Sequence, residues 1–71
     1  MQYQKVDSSN IAALAHEGDV LGVKFNNGTE YHYQGVSSST FEKVMGAASV
    51  GRTFNELIKS KPNDYPFDRV A

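Results

Sequence analysis

The chain has 71 residues, enough for one domain near the lower size limit for independent folding. It contains no cysteine, so neither a disulfide nor a thiolate metal site can stabilise it, and its net charge of −1 argues against avid, sequence-independent binding of nucleic acid. No apolar run approaches the ~18 residues that span a bilayer, and the first residues lack the apolar segment of a signal peptide. A soluble cytoplasmic protein without membrane contacts is therefore expected.

The first half of the chain predicts three strands. Residues 11–16 and 20–25 are separated by Glu17-Gly18-Asp19, which has the composition of a three-residue hairpin loop. Residues 30–34 follow Asn26-Asn27-Gly28, a strong turn signal because Asn and Gly tolerate positive φ angles. The third strand carries the most aromatic run of the chain, Tyr31-His32-Tyr33.

The second half predicts two helices. Ser39 followed by Glu42 has the form of a capping box, and Ser37 is an alternative N-cap for the same helix. A second helix starts at Ser49 and runs through Lys59. The apolar residues that recur at helical spacing are Phe41, Val44, Met45 and Ala48 in the first helix, and Val50, Phe54, Leu57 and Ile58 in the second.

Both ends of the chain are predicted to be extended. Residues 2–6 alternate weakly in polarity and are compatible with either a fourth, edge strand or a frayed arm. Tyr65-Pro66-Phe67 cannot be helical, because the residue before a proline avoids the α region. Its aromatic side chains predict that this tail packs back on the domain.

The turn after Phe25 permits two strand registers. A two-residue loop places Tyr31 and Tyr33 on the face of Lys24, whereas a three-residue loop with Gly28 in the left-handed conformation places them on the face of Phe25. The second register is favoured because it collects the large apolar side chains on one face. The pairs it predicts are Phe25–Thr29, Lys24–Glu30, Val23–Tyr31 and Leu21–Tyr33.

The same reasoning at the first hairpin predicts an inner, apolar face and an outer, polar face. A three-residue loop there pairs Ala15 with Leu21, Ala13 with Val23 and Ile11 with Phe25. The predicted inner face is Ile11, Ala13, Ala15, Leu21, Val23, Phe25, Tyr31 and Tyr33. The predicted outer face is Leu14, Gly22, Lys24, Glu30, His32 and Gln34. These faces predict one α+β domain over residues 1–71, an antiparallel meander of three or four strands packed on one face by two C-terminal helices.

Several motifs in this order resemble the KTSC domain, a small module found at the C-terminus of some lysyl-tRNA synthetases and as free-standing bacterial and phage proteins. The resemblance covers about residues 6–70. It rests on Ser8-Ser9-Asn10-Ile11, Val23-Lys24-Phe25-Asn26-Asn27-Gly28, the aromatic-x-aromatic Tyr31-His32-Tyr33, Gly35-Val36, Gly51-Arg52-Thr53-Phe54-Asn55 and Tyr65-Pro66-Phe67-Asp68-Arg69-Val70. The departures are a serine run before the first helix, where prolines are common, and Phe67, where a second tyrosine is common. The resemblance implies the fold and a conjectured role in RNA binding, but no activity.

Binding of RNA or single-stranded nucleic acid is the leading functional hypothesis. Single strands are held by aromatic stacking beside cationic side chains, which the tyrosine strand would suit if it were exposed. The register instead favours Tyr31 and Tyr33 as structural, core aromatic residues. The residues predicted to contact nucleic acid are therefore His32, Arg52, Lys59, Lys61 and Arg69.

Metal binding and catalysis are not expected. His16 and His32 are the two imidazoles, and the preferred registers place them on one face but not directly opposed, so a closed zinc site would also need carboxylates. No nucleophile with its base, phosphate-binding glycine loop or carboxylate dyad can be assembled from the spacing. No cofactor and no enzymatic activity are predicted.

A protein-interaction module is the alternative. A small domain with a free edge strand can recruit a peptide by strand addition or pair with its own copy, and a helix face is an alternative contact surface. This alternative needs no nucleic acid.

Overall fold

A computed structural model describes residues 1–71 and shows a five-stranded antiparallel sheet in the order β1-β2-β3-β4-β5. The strands are β1 (Gln4–Lys5), β2 (Ile11–Glu17), β3 (Val20–Phe25), β4 (Glu30–Tyr33) and β5 (Phe67–Arg69). The helices are α1 (Ser38–Met45) and α2 (Val50–Phe54), and α2 continues directly into a π-helical turn (Asn55–Lys59). None of these helices is long and apolar enough to cross a membrane.

The α+β class and the two-helix layer are confirmed, but the predicted number of three or four strands is wrong. Residues 2–6 contribute the two-residue strand β1, and the aromatic tail, predicted only to pack back, pairs with β4 as β5. Pro66 permits this because its carbonyl still accepts a hydrogen bond from the Gln34 N–H, at 2.8 Å. A proline at the start of an edge strand leaves no ladder donor missing.

The register between β3 and β4 is confirmed. Leu21 lies opposite Tyr33 and Val23 opposite Tyr31. The Gly28 N–H donates to the Phe25 carbonyl at 3.0 Å, and Gly28 has a φ of 92°, the left-handed conformation of a bulge glycine. This three-residue loop directs both tyrosines toward the helices.

The predicted register between β2 and β3 is wrong over most of its length. Gly18 and Asp19 form a two-residue loop, in which Gly18 has the positive φ of 60° that suits the first position of a type II′ turn. Leu14, predicted on the outer face, therefore lies opposite Val23 and is fully buried on the inner face. Burying a leucine removes more apolar area from water than burying an alanine, which favours this register.

A bulge at Ala12 explains why one predicted pair of this hairpin is nevertheless correct. The register shifts between Ile11 and Ala13, so Ile11 again lies opposite Phe25. Ala13 and Ala15, predicted on the inner face, pair with Lys24 and Gly22 on the outer face.

The helices pack their apolar stripes on the inner face. Ser37 is the N-cap of α1, because its hydroxyl accepts a hydrogen bond from the Thr40 N–H at 3.2 Å, so the alternative cap and not the Ser39 box is formed. Gly46 ends α1, with its N–H bonded to the Glu42 carbonyl. The core between sheet and helices consists of Ile11, Leu14, Leu21, Val23, Tyr33, Val36, Val44, Val50, Phe54 and Ile58.

Candidate nucleic-acid interface

An open groove of about 460 Å³ lies on the inner face of the sheet, between strands β3 to β5 and the segment that follows the π-helical turn. This volume falls within the range of small-ligand sites, about 300–1,000 Å³. The lining residues are Phe25, Asn27, Thr29, Tyr31, Tyr33, Lys59, Pro62 and Phe67. Aromatic side chains from three adjacent strands therefore form its floor.

The aromatic rings of the groove contact one another edge to face or at a tilt. The Phe25 and Tyr31 ring centroids are 5.7 Å apart with an interplanar angle of 85°, and those of Tyr31 and Phe67 are 5.8 Å apart at 56°. Phe67 also lies 5.3 Å from Tyr33. Phe67 is 49% exposed, so part of its ring is available to stack against a planar ligand.

The two tyrosines of β4 have different environments. Tyr33 is 4% exposed and packs edge to face on Phe54 at 5.3 Å, and burial raises the pKa of its hydroxyl above the ordinary value, with a smaller effect of Tyr31. Tyr31 is partly buried and lines the open groove. Of the pair expected to be structural, only Tyr33 is fully enclosed by the core.

The charged boundary of the groove is cationic. Lys59, at the end of the π-helical turn, places its ammonium 5.9 Å from the Phe25 ring centroid, within cation–π range. Arg69 lies opposite Tyr31 in the strand register and so on the same face, and Lys61 directly precedes Pro62 of the lining. No carboxylate lines the groove. Three of the five predicted nucleic-acid contacts therefore lie in or beside it.

The other two predicted contacts lie elsewhere. His32 is on the outer face, opposite Asp68 of β5, with its Nε2 3.4 Å from a Glu30 carboxylate oxygen. Arg52 lines a second, polar cleft and pairs with Glu56 at 3.1 Å, where both side chains are well exposed. Such an exposed pair contributes little to stability, and it partly neutralises Arg52.

His16 and His32 lie on opposite faces, contrary to the same-face placement predicted from the first hairpin. His16 is opposite Leu21 on the inner face, where its ring stacks on Phe41 at 5.0 Å and its Nε2 lies 2.7 Å from the Val36 carbonyl. The shorter Gly18–Asp19 loop is the cause, because a one-residue slip moves every side chain of a strand to the other face.

The outer face carries a polar cluster around Glu30. Tyr3, just before β1, donates its hydroxyl hydrogen to the Glu30 carboxylate at 2.6 Å, and the Lys24 ammonium lies 4.3 Å from the Tyr3 ring centroid. Gly22 leaves the room for this contact, because a Cβ there would collide with the Tyr3 hydroxyl. Burial, together with Glu30, raises the pKa of the Tyr3 hydroxyl strongly.

Replacement of Tyr3 by phenylalanine is expected to raise the pKa of Glu30. The hydrogen bond from Tyr3 is the largest cause that holds this pKa below its ordinary value of 4.5, with smaller contributions from His32 and Lys24 and an opposing one from desolvation. Because the folded-state pKa is lowered, ionised Glu30 stabilises the fold above pH 4.5, and this contribution is lost as the pH falls through the lowered value.

Carbon-13 NMR titration of the Glu30 carboxyl measures this effect. In Tyr3→Phe the midpoint should move up toward 4.5, and the acid-induced loss of stability should become shallower. Tyr65→Phe is the control, since it removes a hydroxyl that has no hydrogen bond to Glu30. An unchanged Glu30 midpoint in Tyr3→Phe would contradict the assigned role of Tyr3.

Comparison with known proteins agrees with this architecture. The family profile of the KTSC domain matches residues 7–61, more than half of the chain. The chain belongs to the KTSC domain family. A crystal structure of a KTSC domain protein from Yersinia pestis superposes with a TM-score of 0.86 at 32% sequence identity, covering 99% of this chain and 97% of that one.

Two sequence relatives extend the comparison. An uncharacterised protein of Stutzerimonas stutzeri is 31% identical over 72 residues, covering 99% of each chain. A protein of Tsukamurella paurometabola is 32% identical over 60 residues, covering 82% of this chain and 90% of its own length. Because the match covers 99% of the Stutzerimonas relative, that protein is about as long as this chain.

Five of the six motifs that resemble other KTSC domains meet at two places in the fold. Gly51 of α2 approaches the Ser8 and Asn10 side chains so closely that a Cβ would lie 2.8 and 2.7 Å from their oxygens, which gives these residues a structural role. The Asn27-Gly28 turn, the Tyr31-x-Tyr33 strand and Phe67 meet instead at the aromatic groove.

Sequence reasoning did not select Phe25, Asn27, Thr29, Pro62 or Phe67 as site residues. Two signals could have found most of them: the favoured register, which pairs Phe25 with Thr29, and the aromatic tail. Neither signal shows where the helical layer ends. The groove is open because the helical layer ends before it covers this part of the sheet.

Proposed function

We propose that this KTSC domain is a non-enzymatic module that binds single-stranded nucleic acid, RNA or DNA, in the aromatic groove. The observation that carries the proposal is the half-exposed Phe67 ring beside partly buried Tyr31 and the Lys59 ammonium, in a groove that no carboxylate lines. Stacked aromatic rings with adjacent cations are the usual means by which proteins hold unpaired bases.

The geometry supports a short contact. The Tyr31, Tyr33 and Phe67 rings pack against one another, so a base stacks on the exposed side of Phe67 and Tyr31 instead of entering a slot between parallel rings. The Lys59 ammonium lies 5.9 Å from the Phe25 ring centroid, and Arg69 lies opposite Tyr31 on the same face, so both are placed to contact phosphates beside that base. Arg69 donates its Nε hydrogen to the Ala71 carbonyl at 3.0 Å, which leaves its terminal guanidinium nitrogens as the phosphate donors. A footprint of a few nucleotides follows.

Binding of labelled, mixed-sequence oligonucleotides, measured by fluorescence anisotropy at low salt, tests the proposal. Both an RNA and a single-stranded DNA pool are expected to bind. If Lys59, Lys61 and Arg69 each neutralise one phosphate, the logarithm of the binding constant should fall against the logarithm of salt with a slope of about −2. Double-stranded DNA of the same composition should bind more weakly, because its bases are already stacked.

Absence of binding by either pool at high protein concentration would refute the proposal. A matched pair of charge variants locates the site. Lys59→Gln should weaken binding and make the salt slope shallower by about 0.7. Lys43→Gln removes the same charge from an exposed position of α1 that does not line the groove, and should change both quantities little.

A protein-interaction role is the second candidate, favoured by the free edge of β5. Gln34 and Val70 donate their N–H groups to the carbonyls of Pro66 and Glu30, so the alternating ladder directs the N–H and C=O groups of Phe67 and Arg69 away from β4. An extended segment could add there as a sixth strand. The edge is only three residues long, however, and short charged edges oppose such pairing.

Sedimentation equilibrium tests the self-associating form of this second candidate. A dimer that dissociates on Arg69→Pro, which removes one outward N–H donor of β5, would support pairing between edges. A strict monomer across the accessible concentration range would remove it.

A further inference from the structure

The Asn27 side chain has one defined orientation at the rim of the groove. Its carboxamide oxygen accepts hydrogen bonds from the Thr29 N–H at 3.1 Å and from the Thr29 hydroxyl at 2.7 Å. A backbone N–H can only donate, so the atom facing it must be the carboxamide oxygen and not the nitrogen. The orientation of the amide is therefore set by the turn itself.

In this orientation, the Asn27 side chain can form further hydrogen bonds only as a donor. A carbonyl oxygen accepts two hydrogen bonds, and Thr29 supplies both. The amide nitrogen has no hydrogen-bond partner in the chain, so both of its N–H groups are available where Asn27 lines the groove. Lys59, on the same lining, adds an ammonium, which also only donates.

Acceptors are scarce among the same lining residues. With no carboxylate present, the side-chain acceptors left are the hydroxyls of Thr29, Tyr31 and Tyr33, and Tyr33 is buried. A ligand rich in hydrogen-bond acceptors is therefore better matched to this groove than one that presents an amino group. Uracil and cytosine both carry a carbonyl oxygen at C2, but at C4 uracil carries a second carbonyl oxygen where cytosine carries an amino group.

On the basis of the proposed function, we infer that the Asn27 amide donates to the oxygen at C4 of a pyrimidine stacked on Phe67 and Tyr31, so that the groove prefers uracil over cytosine. The two bases have the same ring size, so stacking contributes nearly equally to the affinity for each. The difference in affinity therefore comes from the hydrogen bonds made by the edge of the base. One hydrogen bond of ordinary strength corresponds to a preference of about threefold to tenfold.

The experiment compares labelled oligouridine and oligocytidine RNAs of equal length, titrated by anisotropy against the wild-type protein and Asn27→Asp. Aspartate keeps an oxygen for the two Thr29 bonds and replaces the donating amide by an accepting oxygen. The wild type should bind oligouridine about threefold to tenfold more tightly, and Asn27→Asp should lose or invert this ratio. Because the added charge also repels phosphate, the ratio of the two affinities is the readout, not either affinity alone.

Asn55→Asp is the matched control, since it adds the same charge at an exposed residue that lines the second cleft. It should keep the wild-type ratio. Equal affinity of the wild type for both RNAs, or an unchanged ratio in Asn27→Asp, would overturn the role of Asn27 and leave nucleic-acid binding standing. Absence of binding by both RNAs would overturn the proposed function and the base preference together.

Discussion

Replacement of Tyr33 by alanine is expected to remove a large part of the free energy of unfolding of this protein. Tyr33 is 4% exposed and contacts Phe54 and Phe67 at centroid distances of 5.3 Å. Truncating a buried aromatic residue costs about 3–5 kcal/mol. A chain of 71 residues has a total stability of only about 4–10 kcal/mol, so this loss removes a large part of it.

Urea denaturation followed by circular dichroism measures this loss, and Tyr31→Ala is the informative comparison. Tyr31 occupies the same strand and lines the same groove but is only partly buried, so its truncation should cost about 1–2 kcal/mol. From the strand register alone, truncation of either tyrosine would be expected to lower the free energy of unfolding by the same amount. Equal losses for the two variants would show that the groove is closed in solution.

Phe67→Ala is expected to weaken the binding of single-stranded nucleic acid by about fivefold to a hundredfold. Stacking of one base on an aromatic side chain contributes about 1–3 kcal/mol, and Phe67 is the most exposed aromatic ring of the groove lining. The same change should reduce stability by only about 1 kcal/mol, because half of the ring is already in water. Anisotropy titrations at fixed salt measure the first quantity and urea denaturation the second.

Val70→Ala is the matched control for this prediction. Val70 lies three residues further along the same tail and is 48% exposed, against 49% for Phe67, but it does not line the groove. Its truncation removes apolar surface without removing a stacking partner. The groove is the wrong site if Val70→Ala weakens binding as much as Phe67→Ala, or if neither does.

The two hairpins show how far local pattern determines strand register. The second hairpin was predictable because four large apolar residues and a turn glycine all favour one register. The first hairpin was not, because its strand is rich in alanine, which packs almost equally well on either face. There, the large residue Leu14 and the preference of Gly18 for a two-residue turn decide the outcome.

The candidate site depends more strongly than the hairpin registers on contacts between distant parts of the chain. Phe25 and Phe67 are 42 positions apart in sequence, yet they line one groove because β5 returns to pair with β4. A three-residue strand that starts after a proline has too little periodicity to be recognised on its own. Of the predicted nucleic-acid contacts, Lys59, Lys61 and Arg69 lie in or beside this groove, whereas His32 and Arg52 are placed elsewhere.

The aromatic strand Tyr31-His32-Tyr33 shows which features the local sequence determines and which depend on tertiary contacts. The alternation of its side chains and the placement of both tyrosines on the inner face follow from the sequence. A strand has a period of two, and the large apolar residues favour the three-residue turn with Gly28 in the left-handed conformation. How deeply each tyrosine is buried does not follow, because it depends on where the helical layer ends and where the tail returns. Those long-range contacts bury Tyr33 almost completely at the floor of the groove and leave Tyr31 partly exposed at its wall.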